Sequence, residues 1–205
     1  KLSDLVLIYG KSTCWTPKMV NSLKEFQNKG GNILNITSYF ANNICWQKKK
    51  NEVTLFDSSN AISGWHTYDT IMPLSIAGTD RNKAGYSPEK KYTIIQKEHP
   101  IFKNITQTNI EIDANLFSSP PVIWNENTPI IDLVQFQFYE GEVLAYSNST
   151  YKNKPKTKGI FILKRSKSSG SIISLGTEDW CLAKNIGEKK QLQKITKNAV
   201  KFLVK

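Results

Sequence analysis

The first forty residues constrain this chain more than any other stretch. "DLVLIYG" at 4–10 is an apolar run closed by a glycine, the pattern of a buried strand. Six residues later Thr16 and Pro17 open a segment in which Val20, Leu23 and Phe26 fall on one helical face, with Thr16 as cap and Pro17 at the first helical position, until Gly30 and Gly31 stop it. "NILNITSYF" then reads as a second strand. A strand, a helix and a strand joined by so short a glycine return make a parallel βαβ unit over 4–40. That unit predicts an α/β fold with its chemistry just past the carboxyl ends of the strands, where "GKSTCW" displays Lys11 and Cys14 on a loop.

The rest of the chain is less regular. Residues 41–130, rich in Asn, Ser, Pro and aromatics, lack periodicity and are too long for one connecting loop. They are expected to form an irregular, β-rich insertion over the sheet edge that carries the active or binding face. "DLVQFQFYEGEVLAY" at 132–146 alternates Val134, Phe136 and Phe138 with polar residues and suggests a hairpin turning at Glu140–Gly141. "GIFILKR" and "GSIISLG" around "SKSSG" suggest another. The last segment places Leu192, Ile195, Ala199 and Leu203 on one stripe, a closing amphipathic helix. At 205 residues, these parts fit one domain rather than two.

Charge and cysteine usage narrow the function classes. The net charge of +11 invites a nucleic-acid reading. Yet the lysines read as scattered singly or in loop runs such as Lys48 to Lys50 and "YKNKPKTKG" at 151–159, with almost no arginine for forked phosphate or base contacts. A solvated Lys-rich surface is the expectation, and nucleic acid is not. Cys14, Cys45 and Cys181 are odd in number and lack a C-x-x-C pair, which signals neither a zinc knuckle nor a disulfide framework. No apolar run spans a bilayer and no leader is visible, so a cytoplasmic or otherwise soluble chain is expected; its start at Lys1 suggests part of a longer polypeptide. Sequons occur at Asn35, Asn104 and Asn148, the first inside a strand-like run that leaves no room for a glycan.

Three places carry candidate chemistry. Cys14, on a turn between strand and helix, stands where a helix amino end favours a thiolate, but an unreactive, half-buried thiol fits the residues as well. "GWHTYDT" at 64–70 is the densest ligand cluster: in an extended segment His66 and Tyr68 share a face beside Asp69, with Trp65 to wall a pocket, against a plain reading as an aromatic surface loop. His99 in "KEHPIF" suits a turn or cap. Glu178 and Asp179 in "GTEDW" suit a ligand at the sheet edge or a helix amino-end cap.

Taken in order, several stretches resemble the carboxyl-terminal region of the large subunit of N,N-dimethylformamidase and its relatives. "LIYGKSTCWTPKMVNSLKEFQNKGGNI" is similar to that family's strand, Gly-His-x-Glu-Tyr-Trp loop and helix ending in Gly-Gly. "NNICWQ", "GWHTYDTIMPLSIAGT" and "EHPIFKNIT" resemble its next motifs. The closing "GSIISLGTEDWCLAKNI" with "ITKNAVKFL" is the nearest match. The resemblance implies a flavodoxin-like, glutamine-amidotransferase-like parallel sheet, here lacking its first strands, and a mononuclear iron held by two tyrosines and a glutamate that hydrolyses the linear C–N bond of small formamides. The family's His, Glu and Tyr fall on Lys11, Thr13 and Cys14, so the iron site is expected to be absent or rebuilt from Cys14, His66 and Tyr68. Hard ferric iron favours phenolate and carboxylate over a lone thiolate.

Three readings follow. The first is a divergent, catalytically degenerate domain of this kind in a larger assembly, its sheet completed by another polypeptide or an upstream segment and with no cofactor. The second is an active metal-dependent amidohydrolase using Cys14, His66 and Tyr68. The third is a carbohydrate- or polyanion-binding module using Trp65, Tyr68, Trp124 and the lysines.

Overall fold

A computed structural model describes residues 4–10, 12–15, 17–36, 40–49, 52–55, 89–114, 122–126, 128–131, 140–151, 154–164 and 167–205. Strand β1 (Leu5–Tyr9) is followed by β2 (Ser12–Trp15), helix α1 (Pro17–Asn28), β3 (Asn32–Ile36), β4 (Phe40–Lys49) and β5 (Glu52–Leu55). Next come β6 (Lys91–Ile94), β7 (Asn109–Glu111), β8 (Val122–Asn125), β9 (Thr128–Ile131), β10 (Glu140–Tyr151), β11 (Lys154–Lys164), β12 (Ser171–Ser174) and helix α2 (Lys190–Leu203).

The main sheet runs β1-β3-β12-β11-β10-β6-β7. Its first three strands are parallel: Leu7 lies opposite Leu34, and Leu34 opposite Ile173. The remaining pairings are antiparallel, so the chain is a mixed α/β protein whose parallel part is three strands wide. The expected βαβ unit is present, with α1 beginning at Pro17 and stopped by Gly30 at φ +87°, a left-handed turn that glycine makes without Cβ strain.

Alternation sorts the side chains of the parallel strands between two layers. Ile8, Leu23, Ile33 and Ile172 are buried on the α1 side. On the other side α2 lays Leu192, Ile195, Ala199 and Leu203 against Leu34, Ile36, Ile173 and Leu175, which confirms the closing amphipathic helix. Asn32 ties the layers together: its Nδ2 donates to the Leu203 carbonyl, and its Oδ1 accepts from Ser171 N–H at 2.8 Å.

Four expectations need correction. Ser12 to Trp15 form a strand, paired in parallel with β4, rather than a loop. Glu140 and Gly141 lie inside β10 opposite Lys164 and Leu163, so no turn occurs there. The lysine-rich "YKNKPKTKG" contributes paired strand residues on both sides of 152–153, with Tyr151 opposite Lys154. And 89–114 is integral to the main sheet rather than part of an insertion: β6 pairs with β10, and Tyr92, Ile101, Phe102, Ile110 and Ile112 are buried core. The hairpin around "SKSSG" is as expected, β11 antiparallel to β12.

Candidate functional site

The carboxyl edge of the three parallel strands is where an open α/β sheet offers a crevice. β1 leaves the sheet through Gly10 at φ +70°, with nothing within 4 Å of where a Cβ would stand. β12 leaves through Leu175 and Gly176, also left-handed at φ +74°. Thr177 then caps a single 3-10 turn, Glu178–Cys181, its Oγ1 accepting from Asp179 N–H at 3.2 Å. The cap is therefore Thr177, while Glu178 and Asp179 occupy the first turn that follows it.

Three buried side chains fix this edge. Trp180 is fully buried, and its indole N–H donates to Thr196 Oγ1 on α2 at 2.9 Å. The Tyr92 hydroxyl donates to the Leu175 carbonyl at 3.0 Å; burial, reinforced by the negative charge of Asp179, pushes this phenol well above its usual range, so it stays protonated. Asn185, in a single π-helical turn Ala183–Gly187, accepts from Asp113 N–H at 2.8 Å and donates to the carbonyls of Asp113 and Asp179 at 3.1 and 2.6 Å. Outside this staple, the Asp113 carboxylate bonds Lys184 and Lys90, which hold its pKa down at about 2.

The fold brings Cys181 to this edge, where it meets the Gly10 backbone. Burial pushes the Cys181 thiol up, partly offset by a hydrogen bond from the Gly10 backbone, so it is a weak nucleophile at neutral pH. Cys14 lies within β2 opposite Asn43, in a separate small sheet, and not on a turn feeding a helix. His66, Tyr68, Trp65, Asp69 and Lys11 lie outside the described residues. Among the described residues, no three His, Cys, Asp or Glu side chains converge on a point where a metal ion would sit. One signal could have found Cys181: it follows an apolar strand and a glycine by five residues, the position the carboxyl-edge rule singles out.

His99 serves as the cap expected of it. Its Nδ1 accepts from Ile101 N–H at 3.4 Å at the start of a 3-10 turn, Pro100–Phe102, and its ring stands 5.0 Å from that of Phe202. Phe202 is next to Leu203, which Asn32 ties to the amino end of β3. His99 and Cys181 thus sit at opposite ends of the parallel strands and cannot form a thiol–imidazole pair.

Burial lowers the His99 pKa from its usual 6.5, so the unfolded chain binds this proton more readily than the folded one. Its contribution to stability is complete above about pH 6.5 and is lost as pH falls through that value toward the lower folded pKa. Thermal melts should therefore show a midpoint that rises from about pH 5 to about pH 7.5. The part of the rise due to His99 should vanish in His99→Asn, which keeps a cap acceptor without a titrating ring. An unchanged profile in that variant would show that the ring titrates alike in both states.

Asn35 is buried on β3, which agrees with a sequon that cannot carry a glycan. Its Nδ2 donates to Ser174 Oγ at 3.3 Å, while its Oδ1 has no donor among the described residues.

No family model matches the chain, and no curated protein is detectably similar to it in sequence. Among solved structures it is similar to a ThuA-like protein from Bacteroides uniformis ATCC 8492, with a TM-score of 0.49 and 13% identity over 98% of this chain and 69% of that one.

Proposed function

We propose that the chain is a divergent, catalytically degenerate dimethylformamidase-like domain that works as part of a larger assembly, joined to another polypeptide across β1. The kinship rests on the order of motifs along the sequence. The assembly reading rests on the condition of β1. This strand ends the main sheet, so one row of its backbone N–H and C=O groups has no neighbouring strand among the described residues. On the α2 side Leu7 is 49% and Tyr9 66% exposed, although Leu7 lies directly opposite the fully buried Leu34. α2 packs on β3, and of the β1 side chains on this face Leu5 is packed against the shared core. Leu182, 41% exposed, follows the Cys181 that Gly10 contacts at the strand end. A terminal strand that carries exposed apolar side chains is the kind of surface that a second chain covers.

Sedimentation velocity on the wild type and on Leu7→Lys/Tyr9→Lys tests the assembly reading. The wild type should associate with rising concentration or bind a hydrophobic dye. The variant should sediment as a 23.3 kDa monomer with stability within about 1 kcal/mol of wild type, since both positions are exposed. A wild type that stays monomeric and dye-free sinks the reading.

The alternative of a metal-dependent amidohydrolase of small formamides requires Cys14, His66 and Tyr68 to surround a metal. Of these three, Cys14 lies in β2, while His66 and Tyr68 are outside the described residues. Metal analysis of protein purified without chelators separates the two readings. Near-stoichiometric iron that is lost in both Cys14→Ser and His66→Ala would replace the degenerate domain by the hydrolase.

A further inference from the structure

The lysines of the closing segment are not scattered once the helix is built. Lys190, Lys194, Lys197 and Lys201 follow one another at intervals of four, three and four residues along α2, and Lys205 continues the series four residues later just past the helix end. At ~100° per residue these intervals keep all five within one narrow stripe, opposite the buried Leu192, Ile195, Ala199 and Leu203. All five are exposed, α2 contains no acidic residue, and none of the five is in an ion pair among the described residues. Lys194 does donate a hydrogen bond to the Asn104 carbonyl at 2.8 Å, which fixes it over the neighbouring turn and brings the exposed Lys103 to the flank of the stripe. Unlike Lys184 and Lys90, which share Asp113, none of these ammonium groups is neutralised by a carboxylate among the described residues.

We propose that the α2 stripe is a docking surface for an anionic phospholipid bilayer. A straight, one-sided row about 17 Å long from Lys190 to Lys201 presents its charges to a plane, and a headgroup layer is planar. Lysines bind phosphate as point charges and do not supply the planar forks that read base edges, and the arginines of this chain, Arg81 and Arg165, lie outside α2. A second copy of the chain is disfavoured on this face by like charge, at +11 per copy. Val204, 49% exposed between Lys201 and Lys205, adds an apolar side chain at the end of the row that can enter the headgroup boundary. The apolar face of α2 is committed to the core, so the contact is electrostatic adsorption and the helix does not insert.

Co-sedimentation with phosphatidylcholine vesicles, with and without phosphatidylserine, tests the proposal at low and high salt. The wild type should bind only the phosphatidylserine vesicles and release as salt shortens the screening length. Each lysine near such a surface is worth about fivefold in partitioning, so Lys190→Gln/Lys197→Gln/Lys201→Gln should bind on the order of 10²-fold more weakly. A control with the same loss of charge elsewhere, Lys18→Gln/Lys29→Gln/Lys167→Gln, should bind almost as the wild type does, and circular dichroism melts of both variants check that they are folded. The proposal is overturned by absence of phosphatidylserine-dependent binding at low salt. Equal weakening in the control would overturn it as well, because net charge and not the stripe would then be responsible. So would stripe-dependent binding to duplex DNA by a protein that ignores the vesicles.

Discussion

Trp180→Ala is expected to lower the unfolding free energy by about 3–5 kcal/mol, a large part of the ~5–15 kcal/mol that holds a domain folded. Trp180 is among the largest fully buried side chains and packs within the core cluster that joins β3, β12 and α2. Truncation removes its transfer free energy and leaves a cavity walled by side chains from different elements, which cannot all relax into it. It also deletes the indole donor to Thr196, the one polar link from the 3-10 turn to the middle of α2 among the described hydrogen bonds. The segment 176–189 should therefore exchange its amide hydrogens faster, because Trp180 is what pins the carboxyl-edge loop against the helix. Urea denaturation followed by circular dichroism reads the loss. Trp180→Phe, which keeps most of the volume and gives up the hydrogen bond, should fall between the two. A midpoint unmoved in either variant would mean that the packing account is wrong.

Gly170→Ala should be nearly as damaging, for a different reason. A Cβ at Gly170 would stand 1.8 Å from the Gly31 carbonyl oxygen and 2.4 Å from its carbon, both backbone atoms that no rotamer change can move. The two chains are held at that distance by Gly170 N–H donating to the Gln27 carbonyl at 2.8 Å and by Gln27 Nε2 donating to the Gly170 carbonyl at 3.3 Å, with Gln27 itself buried. Relieving the clash requires prying the amino end of β12 away from the turn that precedes β3. A cost of at least about 3 kcal/mol is expected. Gly187→Ala is the matched control: its nearest neighbour would be the Ala183 side chain at 3.8 Å, and a shift within about 1 kcal/mol of zero is expected there. Equal midpoints for the two variants would show that the close approach at Gly170 is not maintained in solution.

The elements legible in the sequence are those whose partners are near in the chain or whose apolar face has a period. The βαβ unit needs only an apolar run, a capped helical stripe and a glycine stop within forty residues. α2 announces itself through Leu192, Ile195, Ala199 and Leu203. The His99 cap follows from a histidine set one residue before a proline. By contrast, β6 enters the sheet only because Ala145 and Tyr146 of β10 pair with Ile94 and Thr93, some fifty residues away, and no local pattern records such a pairing. The strand made by "KPKTKG" has alternating lysines and no apolar face, so its composition reads as a loop. The place of Cys181 depends on Gly10, at the other end of the chain.

By itself the sequence determined the parallel entry into the fold, the amphipathic closing helix and the glycine stop between helix and strand at Gly30, because each is set by steric and solvation preferences acting over a few neighbouring residues. Only the tertiary structure decided that Cys181 meets Gly10 at the carboxyl edge of the sheet, that His99 stands at the opposite end from it, and that Leu7 and Tyr9 of β1 are exposed. Those outcomes depend on strand order and helix placement. These are fixed by contacts between distant segments, whose gain in buried surface is realised together as the core closes.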